Sequence, residues 1–385
     1  MTRLVLAVLG AAVTVTSTAA AQKPRARDLG VRFDGQPGAR NAITDVPGVR
    51  VGHTTLVRGE GALRPGAGPV RTGVTVVFPR GDGADPVYGG WFSLNGNGEM
   101  TGTTWLEESG FLEGPVAVTN THSVGVVRDA IIAWQARRGA TLQPWSLPVV
   151  AETWDGWLND INGFHVTPAH VFAALDSARG GPVPEGNVGG GTGMICYGFK
   201  GGIGTASRRL SPQAGGYTVG VLVQANFGLR HQLRIDGVPV GREVPEGDPW
   251  GGVDEDEQSE QGSIIIVVAT DAPLLPHQLE RLARRASLGV ARTGSISGNG
   301  SGDIFVAFST ANPGAAGDTL GATVRTLAND RLNPVFAATV QATEEAIVNA
   351  LVAAETMVGA DGHRVEALPH ARLREVLRRF GRLPE

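Results

Sequence analysis

The feature of this sequence that most constrains its fold is a set of five short runs of apolar, mostly β-branched residues. A strand with one face in water alternates apolar and polar side chains, whereas a strand covered on both faces is apolar throughout. These runs are of the second kind. We therefore predict strands buried on both faces at residues 73–78, 115–119, 217–224, 263–269 and 303–308.

Helical patterns follow the apolar runs and supply the layers that such strands need. We predict three helices: one with Leu275, Leu279, Leu282 and Ala286 on its apolar face and Pro276 in its first turn, one over residues 337–357, and one marked by Leu373, Val376, Leu377 and Phe380. No internal repeat divides the chain. Sheet layers between helix layers, in one α/β domain, are the predicted architecture.

The composition excludes several chemistries. The net charge of -4 gives no basic surface for a nucleic acid and favours small or peptidic ligands. A single cysteine, Cys196, excludes a disulfide within the chain and a cysteine zinc cluster, and no histidine motif indicates a metal site. Lys23 and Lys200 are the only lysines, so a lysine-based mechanism would depend on Lys200.

The first 21 residues have the pattern of a secretory signal. Arg3 precedes the apolar run 4–15, and small residues lead to Ala21. We expect this segment to be removed and the protein to be periplasmic or secreted, although a buried N-terminal helix would also fit. No later run reaches eighteen apolar residues, so we expect no membrane anchor in the mature form.

A junction of unusual composition precedes the strand predicted at 263–269. Residues 246–262 form a Gly-, Pro- and acid-rich linker, and Gly262-Ser263 joins it directly to the strand. Self-cleavage before Ser263 would expose an α-amine with a pKa of about 7.7–8.0, able to act as a base for the serine hydroxyl. A serine that simply begins a strand is the structural alternative.

Several separate motifs resemble the L-aminopeptidase D-amidase/D-esterase and β-peptidyl aminopeptidase family. They occur in the family's order and span nearly all of the mature chain. They are NGNGEMTGTTW at 95–105, AETWDGWLNDINGFHV at 151–166, GNVGGGTGM at 186–194, QANFG at 224–228, GSIIIVVATDAPLLPHQLERLARR at 262–285 and GNGSGDIFVAF at 298–308.

The resemblance implies a serine hydrolase made as a precursor that cuts itself between Gly262 and Ser263. The expected products are a large fragment, residues 22–262, and a small one, residues 263–385. The implied fold is a four-layer α/β/β/α sandwich, similar to the N-terminal-nucleophile hydrolases but with a different chain connectivity. A homotetramer of cleaved protomers and no cofactor are also expected.

The family motifs assign a role to each matching residue. Ser263 corresponds to the nucleophile, and Ser301 and Asp303 to the polar groups around it. Asn226 corresponds to the amide that polarises the scissile carbonyl, and Glu152 to the carboxylate that receives the substrate's free amino group. The implied substrates are short peptides, amino-acid amides or esters with a free amine.

Trp154 departs from the pattern, because some relatives have a tyrosine there. An indole donates a hydrogen bond but cannot relay a proton. We expect Trp154 either to shape the pocket or to change substrate preference.

Three alternatives stay open at this stage. The enzyme could prefer β-amino acyl groups over α-amino acyl groups. It could be an acyltransferase of the self-cleaving ornithine acetyltransferase type, although that type uses a threonine at the new terminus. A non-catalytic periplasmic protein that binds amines or peptides would keep its chain intact.

Overall fold

The computed structural model describes residues 23–82, 84–139, 143–251, 262–317 and 320–384. The predicted signal peptide, residues 1–21, lies outside the described residues, and so do residues 252–261 of the predicted acidic linker.

The chain alternates strands and helices along its described length. The strands are β1 (Arg50–Arg58), β2 (Val70–Phe78), β3 (Val87–Gly96), β4 (Phe111–Leu112), β5 (Val116–Asn120), β6 (Val149–Thr153), β7 (Ile195–Cys196), β8 (Phe199–Lys200), β9 (Gly202–Arg209), β10 (Thr218–Asn226), β11 (Ser263–Thr270), β12 (Gly302–Ser309), β13 (Met357–Val358) and β14 (Arg364–Val365). The α-helices are α1 (Thr103–Ser109), α2 (Val124–Arg138), α3 (Pro168–Ser177), α4 (Val240–Glu243), α5 (Pro276–Arg292), α6 (Asn333–Ala353) and α7 (His370–Arg379).

Two sheets carry the architecture. One has four strands in the order β1-β2-β5-β6, and the other has six in the order β4-β3-β12-β11-β10-β9. One hydrophobic core joins α5 and α6 to the six-stranded sheet, a second fills the space between the sheets, and a third joins the four-stranded sheet to α2 and α3. These layers form the predicted α/β/β/α sandwich.

Strand β11 shows why the apolar runs are continuous. Its side chains alternate between two cores, with Ile264 and Ile266 on the helix side and Ile265 and Val267 between the sheets. All eight of its residues are buried. The five predicted strands all occur, each within a few residues of its predicted ends.

The predicted helices differ from the structure mainly at their ends. Helix α5 has Pro276 in its first turn, as predicted. The helix predicted at 337–357 runs instead over Asn333–Ala353, because the backbone is extended at Ala354 (ψ 150°). Met357 consequently belongs to β13, and Phe380 follows the last residue of α7. In the part of the chain that the structure describes, no helix is long and apolar enough to cross a membrane.

Candidate active site

The start of β11 brings Ser263 beside the carbonyl group that precedes it. The Ser263 Oγ donates a hydrogen bond of 2.7 Å to the carbonyl oxygen of Gly262. The same oxygen accepts the backbone N–H of Gly302 at 3.0 Å. Two donors on one carbonyl polarise it toward nucleophilic attack. A hydroxyl and an activated carbonyl therefore meet at the predicted cleavage position.

Packing explains the glycine at position 262. A Cβ there would lie 2.3 Å from the carbonyl oxygen of Asn226 and 2.7 Å from Cα of Phe227. Both are backbone atoms of the neighbouring chain segment and cannot rotate away. Only glycine fits this close approach of two backbones.

Asn226 ends β10 and lies opposite Ser263 in the antiparallel β10-β11 pair. Its side-chain amide is held at both ends: Nδ2 donates to the carbonyl of Trp154 at 2.9 Å, and Oδ1 accepts the N–H of Ile195 at 2.7 Å. The second Nδ2 hydrogen has no partner among the described residues. Asn226 thus presents a neutral amide donor of fixed orientation beside the nucleophile.

Ser301 and Asp303 form a buried pair on the other side of Ser263. The Ser301 hydroxyl donates to Asp303 Oδ1 at 2.7 Å. The parallel β11-β12 pairing sets Ser263 opposite Gly302, the residue between them. Burial raises the pKa of Asp303, and the hydroxyls of Ser297 and Ser301 partly oppose that rise. The pair is adjacent to Ser263, but neither side chain hydrogen-bonds to it.

Glu152, on β6, is a buried carboxylate with 3% of its surface exposed. Its Oε1 accepts the backbone N–H of Glu99 at 2.9 Å, and its Oε2 accepts the hydroxyl of Thr121 at 2.5 Å. Burial raises its pKa, and the Thr121 hydrogen bond partly opposes the rise. Within the described chain no Lys or Arg pairs with it, so a cation from outside would complete its bonding.

The segment 95–99 lies against both the Glu152 carboxylate and the start of β12. A Cβ at Gly98 would lie 3.3 Å from Glu152 Oε1 and 3.2 Å from Cα of Gly302. Asn95 and Asn97 donate to carbonyls of the turn before Ser301, those of Ser297, Gly298 and Gly300. No role was predicted for these asparagines. The segment therefore contacts both the Glu152 carboxylate and the turn that leads into β12.

Trp154 lies two residues after Glu152 and is 40% exposed. Its indole covers Gly156, where a Cβ would lie 2.7 Å from the ring. The indole N–H makes no hydrogen bond to any residue that the structure describes. Its backbone carbonyl, by contrast, orients the Asn226 amide.

Two contacting residues were not predicted. Thr121 reaches Glu152 because β5 and β6 pair in parallel, with Thr119 opposite Glu152. Ile195 reaches Asn226 from the hairpin of β7 and β8. No spacing in the sequence signals either contact, since each depends on which strands become neighbours. Among the described residues, no three His, Cys, Asp or Glu side chains gather as metal ligands.

Comparison with known proteins gives consistent results over nearly the whole chain. The model of peptidase family S58 matches residues 41–365. A β-peptidyl aminopeptidase, BapA, of Sphingosinicella microcystinivorans is 55% identical over 388 residues, which cover 97% of this chain and 96% of that protein.

Solved structures extend the similarity to the fold. A Burkholderia sp. β-aminopeptidase superposes with a TM-score of 0.86 at 52% identity, covering 94% of this chain and all of that one. The L-aminopeptidase D-Ala-esterase/amidase of Ochrobactrum anthropi gives a TM-score of 0.86 at 50% identity with the same coverage. That structure is described as a new variant among the Ntn hydrolase fold, which confirms the predicted fold class. The predicted resemblance is also confirmed: the chain is a hydrolase that belongs to peptidase family S58.

Proposed function

We propose that this protein is a self-processing serine aminopeptidase whose nucleophile is Ser263. The observation that carries the proposal is the 2.7 Å hydrogen bond from the Ser263 hydroxyl to the carbonyl of Gly262. Membership of a peptidase family favours this activity over acyl transfer or amine binding without turnover.

Self-cleavage follows from the positions of these two groups. The Ser263 Oγ attacks the Gly262 carbonyl carbon, and the Gly302 N–H stabilises the negative oxygen that develops. The C–N bond then breaks, the serine nitrogen takes up the hydroxyl proton, and an ester joins Gly262 to Ser263. Water hydrolyses this ester, which leaves a carboxylate on Gly262 and a free α-amine on Ser263.

The same serine then serves hydrolysis of a substrate. Its α-amine accepts the hydroxyl proton as Oγ attacks the substrate carbonyl. The second Nδ2 hydrogen of Asn226 is the donor for the oxyanion. The proton passes to the leaving amine, and water hydrolyses the acyl-enzyme. Asp303 holds the Ser301 hydroxyl near the amine, where it orients the proton transfer.

Glu152 defines the substrate as one with a free amino group. Its carboxylate is buried and forms no ion pair with a Lys or Arg of the described residues, and the only positive charge of those residues that acts on it is that of His122. A substrate ammonium would therefore supply its cationic partner. Relatives with 55% and 51% identity are named β-peptidyl aminopeptidases, which favours β-amino acyl groups at the N-terminus of a short peptide, amide or ester.

The nucleophile is tested by Ser263→Ala. The variant is expected to remain one uncut chain on a denaturing gel and to hydrolyse no substrate. Cleavage at the same bond in this variant would refute Ser263 as the nucleophile.

The amine contact is tested by Glu152→Gln, which keeps the shape of the side chain and removes its charge. Losing one partner of a buried charge pair costs about 2–5 kcal/mol, so kcat/KM on free-amine substrates should fall at least about 30-fold. Self-cleavage uses no substrate amine and should slow far less. Equal losses in the two reactions would remove Glu152 from substrate recognition.

Substrate preference is tested with p-nitroanilides that carry L-α-, D-α- or β-amino acyl groups. The proposal predicts the highest kcat/KM for a β-amino acyl group. Preference for an L-α-amino acyl group would keep the aminopeptidase and overturn its β-specificity.

We also propose a periplasmic or secreted homotetramer of cleaved protomers. The signal-like segment 1–21 supports the export, and the family resemblance supports the assembly. Cell fractionation tests the first, and light scattering of the purified enzyme tests the second. Enzyme retained in the cytoplasm, or a monomer in solution, would contradict the respective part.

A further inference from the structure

Lys200 is a fully buried lysine that the mechanism above does not use. It ends β8, and its surface is 0% exposed. Its Nζ donates to three backbone carbonyls, those of Met194 at 2.7 Å, Gly201 at 2.9 Å and Gly191 at 3.4 Å. An ammonium group has three N–H donors, so all three have partners.

No carboxylate contacts this ammonium among the described residues. Burial lowers the pKa of Lys200 to about 7, and the charge of Asp155 opposes that effect. A buried cation without a contacting anion is costly, because its charge has been removed from water. Because burying this charge lowers the stability of the fold, we look for a role of Lys200 in the active site.

The carbonyls that Lys200 binds belong to the segment that orients the Asn226 amide. Met194 immediately precedes Ile195, whose N–H donates to Asn226 Oδ1 at 2.7 Å. One peptide unit, between Met194 and Ile195, therefore carries both contacts. Its carbonyl accepts from Lys200 and also from the Gly201 N–H at 2.9 Å, and its N–H binds Asn226. The Thr153 hydroxyl also donates to the Met194 sulfur at 2.7 Å, which ties the segment to the strand of Glu152.

The Ile195 N–H is one of the two contacts that set the direction of the Asn226 amide, and the other is the Trp154 carbonyl. If Oδ1 were released, the amide could rotate and present oxygen in place of Nδ2 toward the developing oxyanion, which would repel it. A donor lost from an oxyanion site lowers kcat by about 10²–10³-fold, and a misplaced group by up to about 10²-fold.

We propose that Lys200 is a positioning residue for Asn226. Lys200 fixes the Met194–Ile195 peptide, and the Ile195 N–H of that peptide holds the Asn226 amide with Nδ2 toward the scissile carbonyl of the substrate. This inference rests on the proposed role of Asn226 in catalysis. It gives Lys200 no contact with substrate.

The test compares three variants of the full chain: Lys200→Met, Lys200→Gln and Asn226→Ala. Lys200→Met should lower kcat by about 10–100-fold, with KM changed less than about threefold because Glu152 still binds the amine. Lys200→Gln retains an N–H donor for the carbonyls and should recover part of the loss. Asn226→Ala should lose at least as much as Lys200→Met.

Arg208→Met is the matched control. Arg208 is also a buried cation that donates to backbone carbonyls, those of Asp34, Ser207 and Gln341, and it pairs with Glu345 as well. It contacts none of the active-site residues described above. This variant should lower Tm and leave kcat near the wild-type value.

The outcomes separate the two proposals. A normal kcat in Asn226→Ala would overturn the proposed role of Asn226 and this inference with it. This inference alone would be overturned if kcat fell in Asn226→Ala but not in Lys200→Met. An equal fall in kcat in Lys200→Met and Arg208→Met would also overturn it alone. Failure of both Lys200 variants to fold would assign Lys200 to the fold and also overturn it.

Discussion

At Gly262 the Cα has space for hydrogens and nothing larger, because the backbone of Asn226 and Phe227 lies against it. This contact holds the Gly262 carbonyl between the Ser263 hydroxyl and the Gly302 N–H. The reactive geometry is therefore set by the absence of a side chain as much as by the groups that react.

Gly262→Ala is accordingly expected to slow self-cleavage at least tenfold. The added methyl group must displace the carbonyl from the position in which Ser263 and Gly302 bind it. Cleavage is followed by densitometry of the two fragments over time.

Gly125→Ala is the control for this substitution. Gly125 lies in α2, and a Cβ there meets nothing within 4 Å. The variant should cleave at the wild-type rate and gain up to about 1 kcal/mol of stability from helix propensity. Equal cleavage in Gly262→Ala and Gly125→Ala would show that the close approach at Gly262 is irrelevant to the reaction.

The residues of the site were predictable where they lie in one motif, and not where they meet through strand pairing. Gly262 and Ser263 are adjacent in sequence, and only Gly302 separates Ser301 from Asp303. Thr121 instead reaches Glu152 through the pairing of β5 with β6. Pairing of that kind is a property of the folded sheet.

At the level of elements, the sequence predicts strands that are apolar on both faces and misses buried strands whose polar groups find partners only in the folded protein. Strand β11 was predicted because both of its faces are apolar. Strand β9 is also buried, except at its last residue, but its sequence is GIGTASRR and its polar groups bond to partners far away in the sequence. Thr205 donates to the carbonyl of Val221, and Arg208 pairs with Glu345 at 2.7 Å. A buried strand of this kind has no local signal.

The ion pair that joins β9 to α6 gives a prediction for stability. Burial alone would raise the pKa of Glu345, but the hydrogen bond of Arg27 and the charges of Arg208 and Arg27 outweigh it and lower the pKa. Glu345→Gln should cost about 3–5 kcal/mol at pH 7, because it leaves Arg208 buried without its anion.

This cost depends on pH with a definite sign. A carboxylate with a lowered pKa stabilises the fold above its unfolded pKa, about 4.3, and the contribution is lost as the pH falls through the folded value. Urea unfolding of the wild type and of Glu345→Gln, at pH 7 and below pH 4, should show that the difference between their free energies of unfolding is smaller in acid. Glu280→Gln, at the exposed pair with Arg284, should cost less than about 0.5 kcal/mol at either pH. A cost for Glu345→Gln that is the same in acid would contradict the ion pair as its cause.

At the scale of the whole molecule, the predicted cleavage point divides the chain but not the sandwich. The small fragment begins with β11 and contributes β12 as well, and these two strands lie between β3 and β10 of the large fragment. Its helices α5 and α6 cover one face of the same sheet. The fragments therefore share two hydrophobic cores.

We consequently expect the cleaved fragments, about 25 and 13 kDa when scaled from the total mass, to stay together without a covalent bond. They should co-elute in size-exclusion chromatography and separate only in denaturant. Separation of the fragments in native buffer with activity retained in one of them would contradict the shared cores.

The most direct test of Ser263 as a self-generated N-terminal nucleophile is the amino-terminal sequence of the smaller polypeptide in an active preparation. The expected sequence is Ser-Ile-Ile-Ile, which begins at Ser263. A different first residue, or full activity in a chain that remains uncut, would contradict the mechanism proposed for this protein.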